Sequence, residues 1–113
     1  MTHSFRSQGS VDILEVAGDI DALDMVRVKN KITKLIDKDR TKVILSLKKA
    51  KHIDFVGLGI LVERLRKVRA LNGDLKLVGL NPYVLGVLKS IGAGRLIETY
   101  DNTKEALRSF EGA

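Results

Sequence analysis

Short apolar runs alternate along the chain with longer segments whose apolar residues recur every three or four positions. That alternation admits few folds besides a layered α/β sheet. Val11 to Val16 reads as a strand ending at Ala17-Gly18, and a shorter one over Ser4 to Ser7 pairs with it through the Gln8-Gly9-Ser10 turn. Residues 22 to 38 are helical, with Met25, Val28, Ile32, Leu35 and Ile36 on one stripe and Arg27, Lys31, Lys34 and Lys38 on another. Lys42 to Leu47 is an apolar run suited to a buried strand, and Lys48 to Asp54 a polar connection. From Gly57 the spacing is helical again through Leu58, Leu61, Val62, Leu65 and Val68, until Asn72-Gly73 stops it.

Leu75 to Leu80 follows as a strand, and Asn81-Pro82 opens a helix whose buried side is Val84, Leu85, Leu88 and Ile91, closed at Gly92. Leu96 to Tyr100 is a last strand. Asn102 and Glu105 have the spacing of a capping box for a final helix that turns Ala106, Leu107 and Phe110 inward. The order β-β-α-β-α-β-α-β-α predicts an α/β fold. Its mostly parallel sheet has four to five strands, an antiparallel N-terminal edge and about four helices with right-handed crossovers.

With 113 residues, this is one domain, 1–113, and a composition 44% hydrophobic and 30% charged supplies a core under a solvated surface. No window approaches the ~20 apolar residues of a membrane span, and the start lacks the apolar stretch of a secretory signal. The absence of cysteine removes disulfides, thiolate metal sites and a thiol nucleophile. These features fit a cytoplasmic protein. The net charge of +6 suits an acidic partner, nucleic acid, an anionic membrane surface or simply a solvated basic face.

Catalytic signatures are scarce. His3 lies in the terminus, and His52 in a basic stretch with no nucleophile pattern near it. Asp19, Asp21 and Asp24 lack the alternation and distal glutamate of a calcium loop. Gly57-Leu58-Gly59 opens a helix but has no third glycine at dinucleotide spacing and no phosphate-binding lysine. The expectation is a protein that is not an enzyme and that carries no cofactor and no metal.

The stretch from Val43 to Leu61, with Ile53-Asp54-Phe55-Val56-Gly57-Leu58-Gly59 at its centre, resembles the core motif of STAS domains, the family of bacterial anti-sigma-factor antagonists. Gly18-Asp19-Ile20-Asp21 is similar to that family's earlier acidic turn, and Leu77 to Tyr100 to its closing strand–helix–strand. The resemblance implies a switch protein that binds an anti-sigma factor of serine-kinase type and frees a sigma factor. In that family the kinase phosphorylates a hydroxyl in the loop opening the second helix. A phosphate adds about −1.5 to −2 charges, enough to disrupt a close-packed interface. Here Asp54 and the glycines match, but the phosphoacceptor positions hold Phe55 and Val56, which carry no hydroxyl. Ser46 stands where many members have aspartate, and Lys48 where many have serine.

The resemblance therefore implies partner binding through Asp21, Asp54, Phe55, Val56, Gly57 and Leu58 without phosphorylation control at that loop. Phe55 and Val56 either anchor a partner or turn into the core; a fully buried side chain of this kind is worth roughly 1.5–3 kcal/mol. An alternative implication is an accessory subunit held on the ATPase of a membrane lipid-transporting ABC complex, or a subunit of another signalling assembly. Membrane association would then run only through the partner. The same loop would serve a homodimer. Nucleic-acid binding through the basic stripe and Lys48 to Lys51 is disfavoured by an aromatic content of only 4%. Ser90 and Thr99 stay open as other phosphosites.

Overall fold

The computed structural model describes residues 1–111. Its elements are β1 (Thr2–Gln8), β2 (Val11–Ile20), α1 (Ala22–Asp37), β3 (Lys42–Ile53), α2 (Phe55–Ala70), β4 (Asp74–Val78), α3 (Pro82–Ser90), β5 (Thr99–Tyr100) and α4 (Thr103–Glu111). The strands lie in the order β1-β2-β3-β4-β5. β1 runs antiparallel to β2 with Phe5 opposite Leu14, and every other neighbouring pair is parallel. This is the expected α/β architecture with its antiparallel N-terminal edge.

Alternation along the strands sends successive side chains to opposite faces. Leu14 and Val16 of β2, Val43, Leu45 and Leu47 of β3, and Leu75 and Leu77 of β4 join the core formed with α1, α2 and α3. Val11, Ile13, Ile44 and Val78 point the other way and are covered by Ala106, Leu107 and Phe110 of α4. The outer layer also holds a buried cation. Lys76 Nζ donates to Ser109 Oγ at 2.6 Å, lies 3.5 Å from Glu98 and sits 4.1 Å from the centre of the Phe110 ring. On the helix-bearing face, buried Asp12 accepts from Ser7 Oγ and from Arg40 Nε, each at 2.6 Å. Among the described residues no buried side-chain nitrogen or oxygen lacks a partner, as a well-satisfied interior requires.

Several element bounds differ from the sequence expectation. Lys48 to Ile53 is not a connection but the continuation of β3, paired with β2 as far as Ile20 opposite Ile53. The last strand is only Thr99–Tyr100, because Leu96 and Ile97 turn back onto Ala93 O through backbone hydrogen bonds of 3.0 and 3.3 Å. α2 starts at Phe55 rather than Gly57, since Asp54 caps it. Ile36 and Leu85 are half-buried at the margins of their stripes. Asn102 Oδ1 accepts from the Glu105 amide at 2.9 Å, which is the forward half of the expected capping box.

Candidate functional site

The parallel strands β2 and β3 both end beside the starts of the helices that follow them, and this edge gathers the residues singled out in the sequence. Gly18, at φ 88°, stands where the β2–β3 register shifts, a conformation that glycine adopts without strain. Beyond it, Ile20 O accepts from the Asp54 amide at 2.9 Å, so the two loops are clipped together by backbone. Asp21 caps α1: its Oδ1 accepts from the Asp24 amide at 2.7 Å, and Asp24 Oδ2 accepts from the Asp21 amide at 3.2 Å. The hydrogen bond from the Asp24 amide holds the Asp21 carboxyl below its ordinary 3.8. Asp54 caps α2, accepting from the Val56 amide at 2.8 Å.

The caps fix the first turn of α2 in a defined pose. Phe55 and Val56 both project outward, 60% and 63% exposed. Neither turns into the core. Gly57 and Leu58 lie on the opposite side of the helix, buried, with Leu58 fully enclosed and a Cβ on Gly57 overlapping the Met25 side chain. The surface that this loop presents is thus made of Asp21, Asp54, Phe55 and Val56, while Gly57 and Leu58 support it from below.

Two features of the edge lie outside the residues singled out in the chain. Tyr83, 55% exposed at the start of α3, meets the His52 ring edge-on at 5.3 Å and 85°, and with Asp19, Asp21 and Asp54 lines a shallow recess. Leu23 and Val26 on α1 are 61% and 38% exposed; they fall off the period set by Met25, Val28 and Ile32, and that mismatch was the available signal. Along α2, Phe55, Gly59, Val62 and Arg66 share one face and, with Ile91 and Leu96 across from them, line an open groove of about 620 Å³. Among the described residues no cluster of three or more His, Cys, Asp or Glu side chains is placed to hold a metal ion. No helix there is long and apolar enough to cross a membrane.

A parallel sheet with an antiparallel edge, three helices on one face and one on the other, presenting an apolar first helical turn between acidic caps, defines a small mixed α/β domain with its candidate site at a strand-to-helix edge. The chain belongs to the STAS domain family, whose model matches residues 4–106. It is similar to the anti-sigma F factor antagonist of Paenibacillus polymyxa, at 28% identity over 102 residues, 88% of this chain and 86% of that one. Its fold is that of the anti-sigma factor antagonist SpoIIAA in its unphosphorylated form, with a TM-score of 0.80 at 20% identity, covering 99% of this chain and 100% of the other. An anti-sigma factor antagonist from Mycobacterium paratuberculosis matches with a TM-score of 0.84 at 19% identity, over 96% of this chain and 92% of the other. The domain is accordingly an anti-sigma-factor-antagonist-like STAS domain.

Proposed function

We propose that this domain is a protein-interaction module that docks an anti-sigma factor of serine-kinase type through the loop opening α2, and does so without phosphorylation of that loop. The observation that carries this reading is the pair Phe55 and Val56, 60% and 63% exposed on a turn held rigid by the Asp54 cap. A partner that covered them would gain about 1–2 kcal/mol from each, the share of roughly 1.5–3 kcal/mol left unclaimed by folding. Because the turn is already ordered, little conformational entropy opposes that gain. With no hydroxyl from Leu47 to Leu71, the loop has nothing for a kinase to modify. Asp19, Asp21 and Asp54 already surround it with negative charge, so further anionic charge here is repelled.

The test is an affinity pull-down from the source cell comparing the wild type with Val56→Asp, followed by calorimetric titration of the recovered kinase. The expected result is a soluble complex with a kinase of the anti-sigma class, lost with Val56→Asp while the thermal midpoint stays unchanged. Recovery of a transporter ATPase in the membrane fraction, indifferent to Val56→Asp, would refute both the partner class and the site.

A further inference from the structure

We infer that the groove along α2 seats an acidic amphipathic helix of the protein partner, extending the docking surface away from the Phe55 turn. This rests on the reading that the start of α2 is an interaction surface, with which the groove is continuous through Phe55 and Val56. The face from Phe55 to Arg66 spans about 16 Å at ~1.5 Å per residue, the length of about three helical turns. Its wall is apolar at the Phe55 and Val62 end and cationic at Arg66. Beyond Gly92, which borders the groove, Lys89 and Arg95 line the adjoining hollow. Among the described residues none of these three cations has a carboxylate within ion-pair distance, whereas Arg64 and Arg69 on the same helix are paired with Glu63 and Asp74.

Gly59 supplies the independent observation. It is exposed within α2, has an ordinary helical φ, and a Cβ there would meet no atom within 4 Å. Nothing inside the molecule calls for glycine at this position, and glycine weakens a helix relative to alanine. A bare backbone at the wall of an open groove is what lets a partner's bulky side chain approach closely. The free cations select the sign of the partner: an apolar stripe flanked by Glu or Asp is complementary, a Lys-rich one is repelled.

The experiment uses the full chain, ¹⁵N-labelled, with a synthetic helical peptide carrying Leu at helical spacing and Glu elsewhere, and its counterpart with Lys in place of Glu. The Leu/Glu peptide is expected to shift the amides of Gly59, Val62, Gly92 and Ala93, with affinity falling by ~10-fold or more in Gly59→Leu and Arg66→Glu while neither lowers the thermal midpoint. Arg66→Glu should also shift preference toward the Lys peptide. Absence of groove shifts, or equal response to both peptides, overturns the inference. So does a response confined to vesicles of phosphatidylglycerol, which would assign the groove to a membrane surface. Titrating the recovered kinase separates the two readings. Loss of binding with Val56→Asp but not Gly59→Leu sinks the groove and keeps the loop, and the reverse pattern does the opposite.

Discussion

Gly57 and Gly59 stand two positions apart on α2, yet the fold treats them in opposite ways, and alanine at each gives opposite predicted signs. At Gly59 the new methyl meets open space. The replacement gains helix propensity worth about 0.5–1 kcal/mol. For a chain of 113 residues this raises the thermal midpoint by roughly 2–4 °C, at ~4 °C per kcal/mol. At Gly57 the propensity gain is smaller, because the first turn is held by its cap rather than by a full set of hydrogen bonds. Its methyl would overlap the side chain of Met25, which is 0% exposed in the α1–α2 contact. Overpacking of this kind costs about 1–3 kcal/mol, so Gly57→Ala should lower the midpoint by about 2–10 °C after the small gain is subtracted. Met25→Ala alone opens a cavity costing about 2–5 kcal/mol, but combined with Gly57→Ala it removes the clash. The double variant should therefore be less unstable than the sum of the two, by about 1–3 kcal/mol. Urea unfolding followed by far-UV circular dichroism reads all four proteins, with unchanged m-values certifying a common transition. If Gly57→Ala proves as stabilising as Gly59→Ala, or the double variant is simply additive, the steric account of the helix–helix contact is wrong.

Leu65→Ala removes a fully enclosed side chain from the face of α2 against the sheet; a loss of about 2–5 kcal/mol is expected in the same urea assay. Asp54→Ala frees the Val56 amide and should lower stability by about 1 kcal/mol, with faster hydrogen exchange at that amide, while Asp54→Asn keeps the cap and most of the stability. The Tyr100 hydroxyl donates to Glu98 and, with Lys76 nearby, holds that carboxyl below its ordinary 4.5. The native state then binds fewer protons than the unfolded chain in this window, so stability is present above the ordinary value and lost as pH falls through the depressed one. Tyr100→Phe should flatten the acid limb of the urea midpoint measured between about pH 3 and pH 5; an unchanged limb would show that the hydroxyl does not hold the carboxylate.

Hydrophobic period alone placed the core of this fold because the buried stripes and strands are unbroken. It failed where burial is one-sided or the backbone is satisfied without a full strand. Lys48, Lys49, Lys51 and His52 are exposed, so only Ala50 and Ile53 signal strand; yet the backbone continues to pair with β2 after β4 has ended at Val78. At the other margin, Leu96 and Ile97 look like strand by composition but spend their hydrophobicity on the helical core, leaving two residues to pair with Leu77 and Val78. The acidic positions of the candidate site were legible, since Asp before an apolar helical segment has a capping mechanism. The direction of Phe55 and Val56 was not. The first turn of a helix has no preceding turn to fix which of its apolar residues faces in, and the rotation is set by the packing of Gly57 on Met25 together with enclosed Leu58 and Leu61. The groove was hidden for a related reason, being made by two segments far apart in sequence.

Charge is sorted across the molecule in a way that constrains how any partner can sit. α1 carries Arg27, Lys29, Lys31 and Lys34 against Asp24 and Asp37, and α2 carries Arg64, Arg66, Lys67 and Arg69 against Glu63 alone. On the opposite face, α4 balances Lys104 and Arg108 with Glu105 and Glu111. The loops at the ends of β2 and β3 are acidic, through Asp19, Asp21 and Asp54. The helices α1 and α2 are therefore net positive, the end of β3 adds exposed Lys48, Lys49 and Lys51, and the acidic groups Asp19, Asp21 and Asp54 gather beside the Phe55 turn. A partner that covers that turn meets an acidic rim first and a basic slope along α2 next. Complementary charge must change sign at the Phe55 turn, where the acidic caps end and the groove leading to Arg66 begins. A partner of uniform sign, whether nucleic acid or an anionic bilayer, gains on the slope and loses at the rim, whereas a folded protein can present both signs in register. If Phe55 and Val56 are the anchors, raising salt should slow association of a matched partner while leaving its dissociation, governed by the apolar contacts that cover those two side chains, much less affected.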